Sequence, residues 1–102
     1  MDYLDRDLDK FIAREIMKDL GSPPYTASMS ETWRLVERMI NMVAVELKLD
    51  MFLGVTGQHW VASFYSPSRC ARWEGRGYTA PLAICRAAKE TYLNLKGHAP
   101  GQ

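Results

Sequence analysis

A chain of 102 residues with 47% hydrophobic and 25% charged side chains can bury one core, which excludes a disordered polymer and leaves no room for a second full-sized domain. No apolar run reaches the roughly 20 residues needed to span a bilayer, and the acidic opening MDYLDRDLDK is unlike a basic-then-apolar secretory leader, so a cytosolic protein with no membrane partner is expected. The net charge of +1 conceals an asymmetry, residues 1–20 summing to −2, 21–50 to −1 and 51–102 to +4, which points weakly to an anionic partner and falls short of a duplex nucleic-acid binder.

Residues 2–20 read as an amphipathic helix, because Leu4, Leu8, Phe11, Ile12, Ile16 and Leu20 recur three or four apart while aspartates crowd the first turns, where the helix dipole favours them. Gly21 is expected to end it, and Ser22-Pro23-Pro24-Tyr25 to form a stiff connector or a binding ridge. A second helix starts at the capping box Ser28-Met29-Ser30-Glu31. Its apolar stripe of Met29, Trp33, Val36, Ile40, Val43 and Leu47 marks it as the central helix, with Trp33, Val36, Ile40 and Val43 in the core.

From Val45 to Val55 apolar residues alternate with Glu46, Lys48 and Asp50, which is the strand period, and a first strand is placed at about Asp50–Val55. Thr56-Gly57-Gln58 reads as a hairpin turn into a second strand, His59–Tyr65, whose two faces are both partly apolar and so predict a sheet covered on both sides. A third strand is expected at roughly Cys70–Glu74, with Gly75 and Gly77 freeing the backbone at a bend. Thr79 stands where a helix N-cap belongs, Pro81 lies in the first turn, and Ile84, Ala88, Tyr92 and Leu95 form the stripe of a third helix that Gly97 ends. The expected fold is therefore one α+β domain over residues 1–97, in the order ααβββα, with a three-stranded, mostly antiparallel sheet sandwiched by helices and a flexible tail at 98–102. Phe64, Ile84 and Ala88 complete the expected core.

Catalytic and metal patterns are missing from the sequence. Cys70 and Cys85 form no CxxC pair, His59 and His98 lie in unrelated places, and there is neither a Walker loop, a GxGxxG turn nor a GxSxG elbow. No catalytic residue, metal or cofactor is therefore expected. What stands out is Trp60, Tyr65, Arg69, Arg72, Trp73, Arg76 and Tyr78 within nineteen residues, just ahead of the third helix. Arginine forks hold phosphate in a bidentate way and aromatic planes stack on bases, so Arg69, Arg72, Trp73, Arg76, Tyr78 and Thr79 are the candidate ligand-binding residues. The same pattern is also an ordinary way to begin a helix, with the tryptophans in the core and the arginines in water.

The segments AREIM, PYTASMSETWRLVERM, WVASFY and above all YTAPLAICRAA resemble the Phage ABA sandwich family, small proteins of phages and prophages with a sheet between helical layers. The resemblance implies a phage origin and the cytoplasm of an infected bacterial host, and it supplies no catalytic residues. Two functions from different classes follow as expectations. One is a non-enzymatic protein that sequesters a small phosphorylated nucleotide signal of bacterial antiphage immunity, a sponge. The other is an interaction protein that blocks a host protein through the same arginines. A homodimer is expected in either case, because so small a domain with aromatics on both strand faces has apolar surface to spare.

Overall fold

A computed structural model describes residues 5–55 and 57–97. Asp5 opens the first helix by accepting from the Leu8 N–H at 3.0 Å, and α1 (Arg6–Phe11) continues into a π-helical stretch, Ile12–Met17. This helix ends three residues before the expected Gly21 stop. Lys18 turns left-handed at φ 57°, so Leu20 leaves the stripe and is fully exposed. At this helix end the Ile16 carbonyl has no partner within the helix and accepts from Arg38 Nε at 3.2 Å. The connector is no ridge: Tyr25 is buried and its hydroxyl donates to the Asp19 carboxylate, which Arg34 also approaches at 3.5 Å.

Helix α2 (Met29–Val43) starts where expected, with Ser28 Oγ accepting from the Glu31 N–H at 3.4 Å. Only half of the capping box forms, because the Glu31 carboxylate takes Arg34 instead of reaching back. The buried stripe is Thr32, Leu35, Val36 and Met39, whereas Trp33 and Ile40 are 54% and 42% exposed, against expectation. Thr32 wins the inward position because its hydroxyl donates to the carbonyls of Ser28 and Tyr25, which removes the penalty of burying it. Val43 is half-buried against the core.

Ala44, left-handed at φ 53°, ends α2 and starts β1 (Glu46–Gly54) four residues before the expected position. β2 (Gly57–Ser66) pairs with β1 from Gly57 opposite Gly54, so Gly57 and Gln58 belong to the strand and not to the expected turn, whose Thr56 lies outside the described residues. β3 (Ala71–Gly77) follows after a turn through Cys70, at φ 50°. The sheet is antiparallel throughout in the order β1-β2-β3. Helix α3 (Ala80–Gly97) buries Ile84, Ala88 and Tyr92 as predicted, along with Leu82, Ala83, Cys85 and Ala87. The expected tail, residues 98–102, lies outside the described residues.

β3 runs three residues past Glu74 and so contains both Gly75 and Gly77, which are neither at a bend nor at positive φ. They are glycines because α3 lies against them. A Cβ on Gly75 would sit 2.2 Å from the Ala87 nitrogen and 2.6 Å from the Ala83 oxygen. The small Ala83 and Ala87 of α3 meet this strand, together with the Arg86 backbone at Gly75 and Leu82 at Gly77. On that same face Ala62 and Phe64 are fully buried. The expectation of cover on both sides is met within the chain on one face only. The other face carries Lys48, Asp50, Arg72, Glu74 and Arg76, whose charged heads stay in solvent.

Candidate functional site

Strand alternation divides the residues singled out by sequence. Register pairs Arg72 with Tyr65, Trp73 with Phe64 and Arg76 with Val61, so Arg72 and Arg76 rise from the open face while Trp73 is half-buried on the helix-covered face. Arg72 sits 5.8 Å from the centre of the Tyr65 ring. Arg69 belongs to the β2–β3 turn, where its Nη1 donates to Ser66 Oγ at 3.2 Å. Thr79 caps α3, its Oγ1 accepting from the Leu82 N–H at 3.3 Å. The six candidates therefore do not converge on one point.

Among the described residues, three depressions of about 300 Å³ or more compete as ligand sites, a smaller one of about 250 Å³ beside Arg6 and Pro24 being lined in part by the Asp9 carboxylate. The one between α1 and α3, about 430 Å³, is lined by Asp5, Asp7 and Glu90 as well as Arg86 and Lys89, and its three carboxylates oppose an anion. On the open sheet face a second, about 380 Å³, sets Asp50 and Glu74 among Lys48, Arg72 and Arg76. The third, about 300 Å³ at the end of β3, is lined by Gln58, His59, Arg76, Gly77, Tyr78 and Arg86 and contains no carboxylate. It sits at the lower end of the size range of small-molecule sites, about 300–1,000 Å³.

The chemistry of this third depression follows from how its walls are held. Arg86, the seventh residue of α3 and nearly two turns into it, is exposed in a stretch whose neighbours are buried, and its Nη1 donates to the Arg76 carbonyl at 2.7 Å. That bond ties the helix side chain to the strand end and leaves the rest of the guanidinium fork for an acceptor. Arg76 supplies a second fork. Tyr78 presents a 58% exposed ring, and His59 is stacked on Phe52 at 5.4 Å and 20°. Two guanidinium groups beside two planar rings, in a depression whose own lining holds no carboxylate, can hold a phosphate and a base together.

Two of the predicted residues, Arg76 and Tyr78, line this site, which also uses Arg86, His59 and Gln58. A signal for Arg86 was present: it is the one charged residue in the run Ala80–Ala88, whose other members are small or apolar. Among the described residues no group of three or more His, Cys, Asp and Glu is placed to hold a metal, and no helix is long and apolar enough to cross a membrane. Cys70 is exposed and Cys85 is buried, where burial pushes the thiol well above its ordinary range. No family model, curated protein or solved structure matches the chain.

Proposed function

We propose that the protein is a non-enzymatic binder of a small phosphorylated nucleotide, taken up at the depression between the end of β3 and the first turns of α3. Arg76 and Arg86 donate to phosphate, and Tyr78 or His59 offers the stacking plane. The observation that carries this reading is the pairing of two arginine forks with aromatic rings in a depression lined by no carboxylate. The resemblance to the Phage ABA sandwich family supports a phage protein working in the cytoplasm of the bacterial host. There, sequestering a nucleotide signal of antiphage immunity requires binding and no turnover.

Calorimetric titration against cyclic dinucleotides and cyclic ADP-ribose isomers tests the reading. One member of the panel is expected to bind. Arg86→Ala and Arg76→Ala should each weaken it about tenfold, the lower end of the roughly 1.5–3 kcal/mol of a charge-assisted contact, because both side chains are solvent-exposed. Arg86→Lys should fall between, keeping charge but losing the fork. Arg69→Ala, remote in the β2–β3 turn, should bind like the parent. Binding by none of the panel, or binding indifferent to both arginine substitutions, contradicts the assignment.

A second reading rests on a different observation. Met29, Trp33 and Ile40 fall within a narrow arc of α2 and are all exposed, and an exposed tryptophan with aliphatic neighbours is the usual anchor of a protein interface. A phage protein that blocks a host protein would use this flank. Its signature is a silent nucleotide titration together with capture of a host protein that Trp33→Ala abolishes.

A further inference from the structure

The uncovered face of the sheet carries an ordered charge pattern. Register aligns it in three rows, Glu46–Tyr65–Arg72, Lys48–Ser63–Glu74 and Asp50–Val61–Arg76. The middle strand contributes no charge. Down β1 the signs run negative, positive, negative, and down β3 they run positive, negative, positive. Opposite charges of one row stand two strand spacings apart, about 9.6 Å. Among the described residues the ion pair on this face is Lys48 with Asp50 at 3.9 Å, within one strand, and none joins the two outer strands.

We propose that this face docks a second copy of the same chain, about a two-fold axis parallel to the strands and running over β2. Such an axis exchanges β1 with β3 and keeps every row level. Glu46 then faces the partner's Arg72, Lys48 the partner's Glu74 and Asp50 the partner's Arg76, each pairing occurring twice. All six contacts are complementary. An axis perpendicular to the strands through the Ser63 row instead sets Glu46 on the partner's Asp50 and Arg72 on the partner's Arg76, with like charges throughout. The pattern thus selects both the occupant and its orientation. The centre suits this approach, because Ser63 is small and only 5% exposed, and stacked sheets come within about 10 Å of each other. Three strands by three rows span about 14 by 20 Å, well below the roughly 800 Å² per partner of a standard interface. The dimer is accordingly weak, held at its rim by charge, and sensitive to salt.

Sedimentation of the full chain at several hundred micromolar in low salt provides the test. A reversible dimer that high salt dissociates is expected. Lys48→Glu and Glu74→Lys each set like charges face to face twice, and each should weaken self-association about tenfold or more. The two single variants mixed in equal amounts should associate again, since the first is negative at both positions and the second positive at both. The double variant K48E/E74K should regain the homodimer. A parent that stays monomeric, single reversals without effect, or a mixture that fails to associate overturns the proposal. The mixing arm separates pairing between chains from a change within one chain, and circular dichroism of each single variant checks its fold. Neither Lys48 nor Glu74 lines the Arg86 depression, but Arg76 is common to both sites, so nucleotide titration is run at protein concentrations too low for the dimer, where both variants should match the parent. A silent titration then overturns the nucleotide reading alone, and a parent that stays monomeric at high concentration overturns the dimer alone.

Discussion

Replacing Gly75 by alanine tests the packing that places the site. The added Cβ would lie 2.2, 2.6 and 2.7 Å from the Ala87 nitrogen, the Ala83 oxygen and the Arg86 carbonyl carbon, all of them backbone atoms of α3. Ordinary contact is about 3.5 Å or more, so the helix must withdraw from β3 by about 1 Å. That loosens the contacts of Ala83, Ile84 and Ala87, which are fully buried. Overpacking usually costs about 1–3 kcal/mol, and a clash with backbone that no side-chain rotation relieves belongs at the top of that range. At about 4–8 °C per kcal/mol for a domain near this size, thermal denaturation followed by circular dichroism should show a fall of roughly 12–24 °C. Gly77→Ala, which meets the Leu82 side chain and the Ala83 nitrogen at 3.0 Å, should lose less. Gly21→Ala, with nothing within 4 Å, should change little. A Gly75→Ala protein melting within two or three degrees of the parent would refute the view that these glycines exist for helix contact.

Thr79→Ala should lower stability by about 1 kcal/mol through loss of the α3 cap while leaving ligand affinity unchanged, which chemical denaturation and titration measure side by side. A thiol reagent under native conditions should label one cysteine per chain, Cys70, because Cys85 is buried and its thiol is held protonated; mass spectrometry identifies the site. Asp9 is buried, and desolvation holds its carboxyl above the ordinary value of 3.8 although the Thr26 N–H, donating at 2.8 Å, pulls the other way. A raised folded-state value means that the fold binds the proton more tightly. The stability contributed by Asp9 is therefore present below pH 3.8 and is lost as pH rises through the folded value. Asp9→Asn keeps an acceptor for Thr26 without the charge, so it should remove this pH dependence and melt higher than the parent at neutral pH.

How far the sequence could be read depended on whether the local pattern had one physical solution. The Trp60–Tyr65 alternation has one, and so does a threonine cap with a proline in the next turn, and both elements appear as expected. The run from Val45 has two. Helix and strand periods overlap there, and it took the left-handed Ala44 to start the strand at Glu46. On α2 the larger hydrophobe was expected inside. Thr32 displaced Trp33 because partners remote from the stripe, the carbonyls of Ser28 and Tyr25, satisfy its hydroxyl. A glycine pair such as Gly75 and Gly77 suits a bend as well as a close approach, and only the position of Ala83 and Ala87 decides between them. The same ambiguity scattered the candidate site. A cluster of arginines and aromatics in a strand is halved by the pleat, and its other members, Arg86 and His59, come from the helix and from the neighbouring strand.

The most direct measurement of the central claim is an amide and arginine side-chain NMR titration with the nucleotide that calorimetry selects. Shifts should gather on Gln58, His59, Arg76 to Tyr78 and the Arg86 guanidinium, with the Trp73 and Trp33 indole signals unmoved. Shifts gathered instead on Arg69, Arg72 and Trp73, or on the exposed flank of α2 around Trp33, would contradict it.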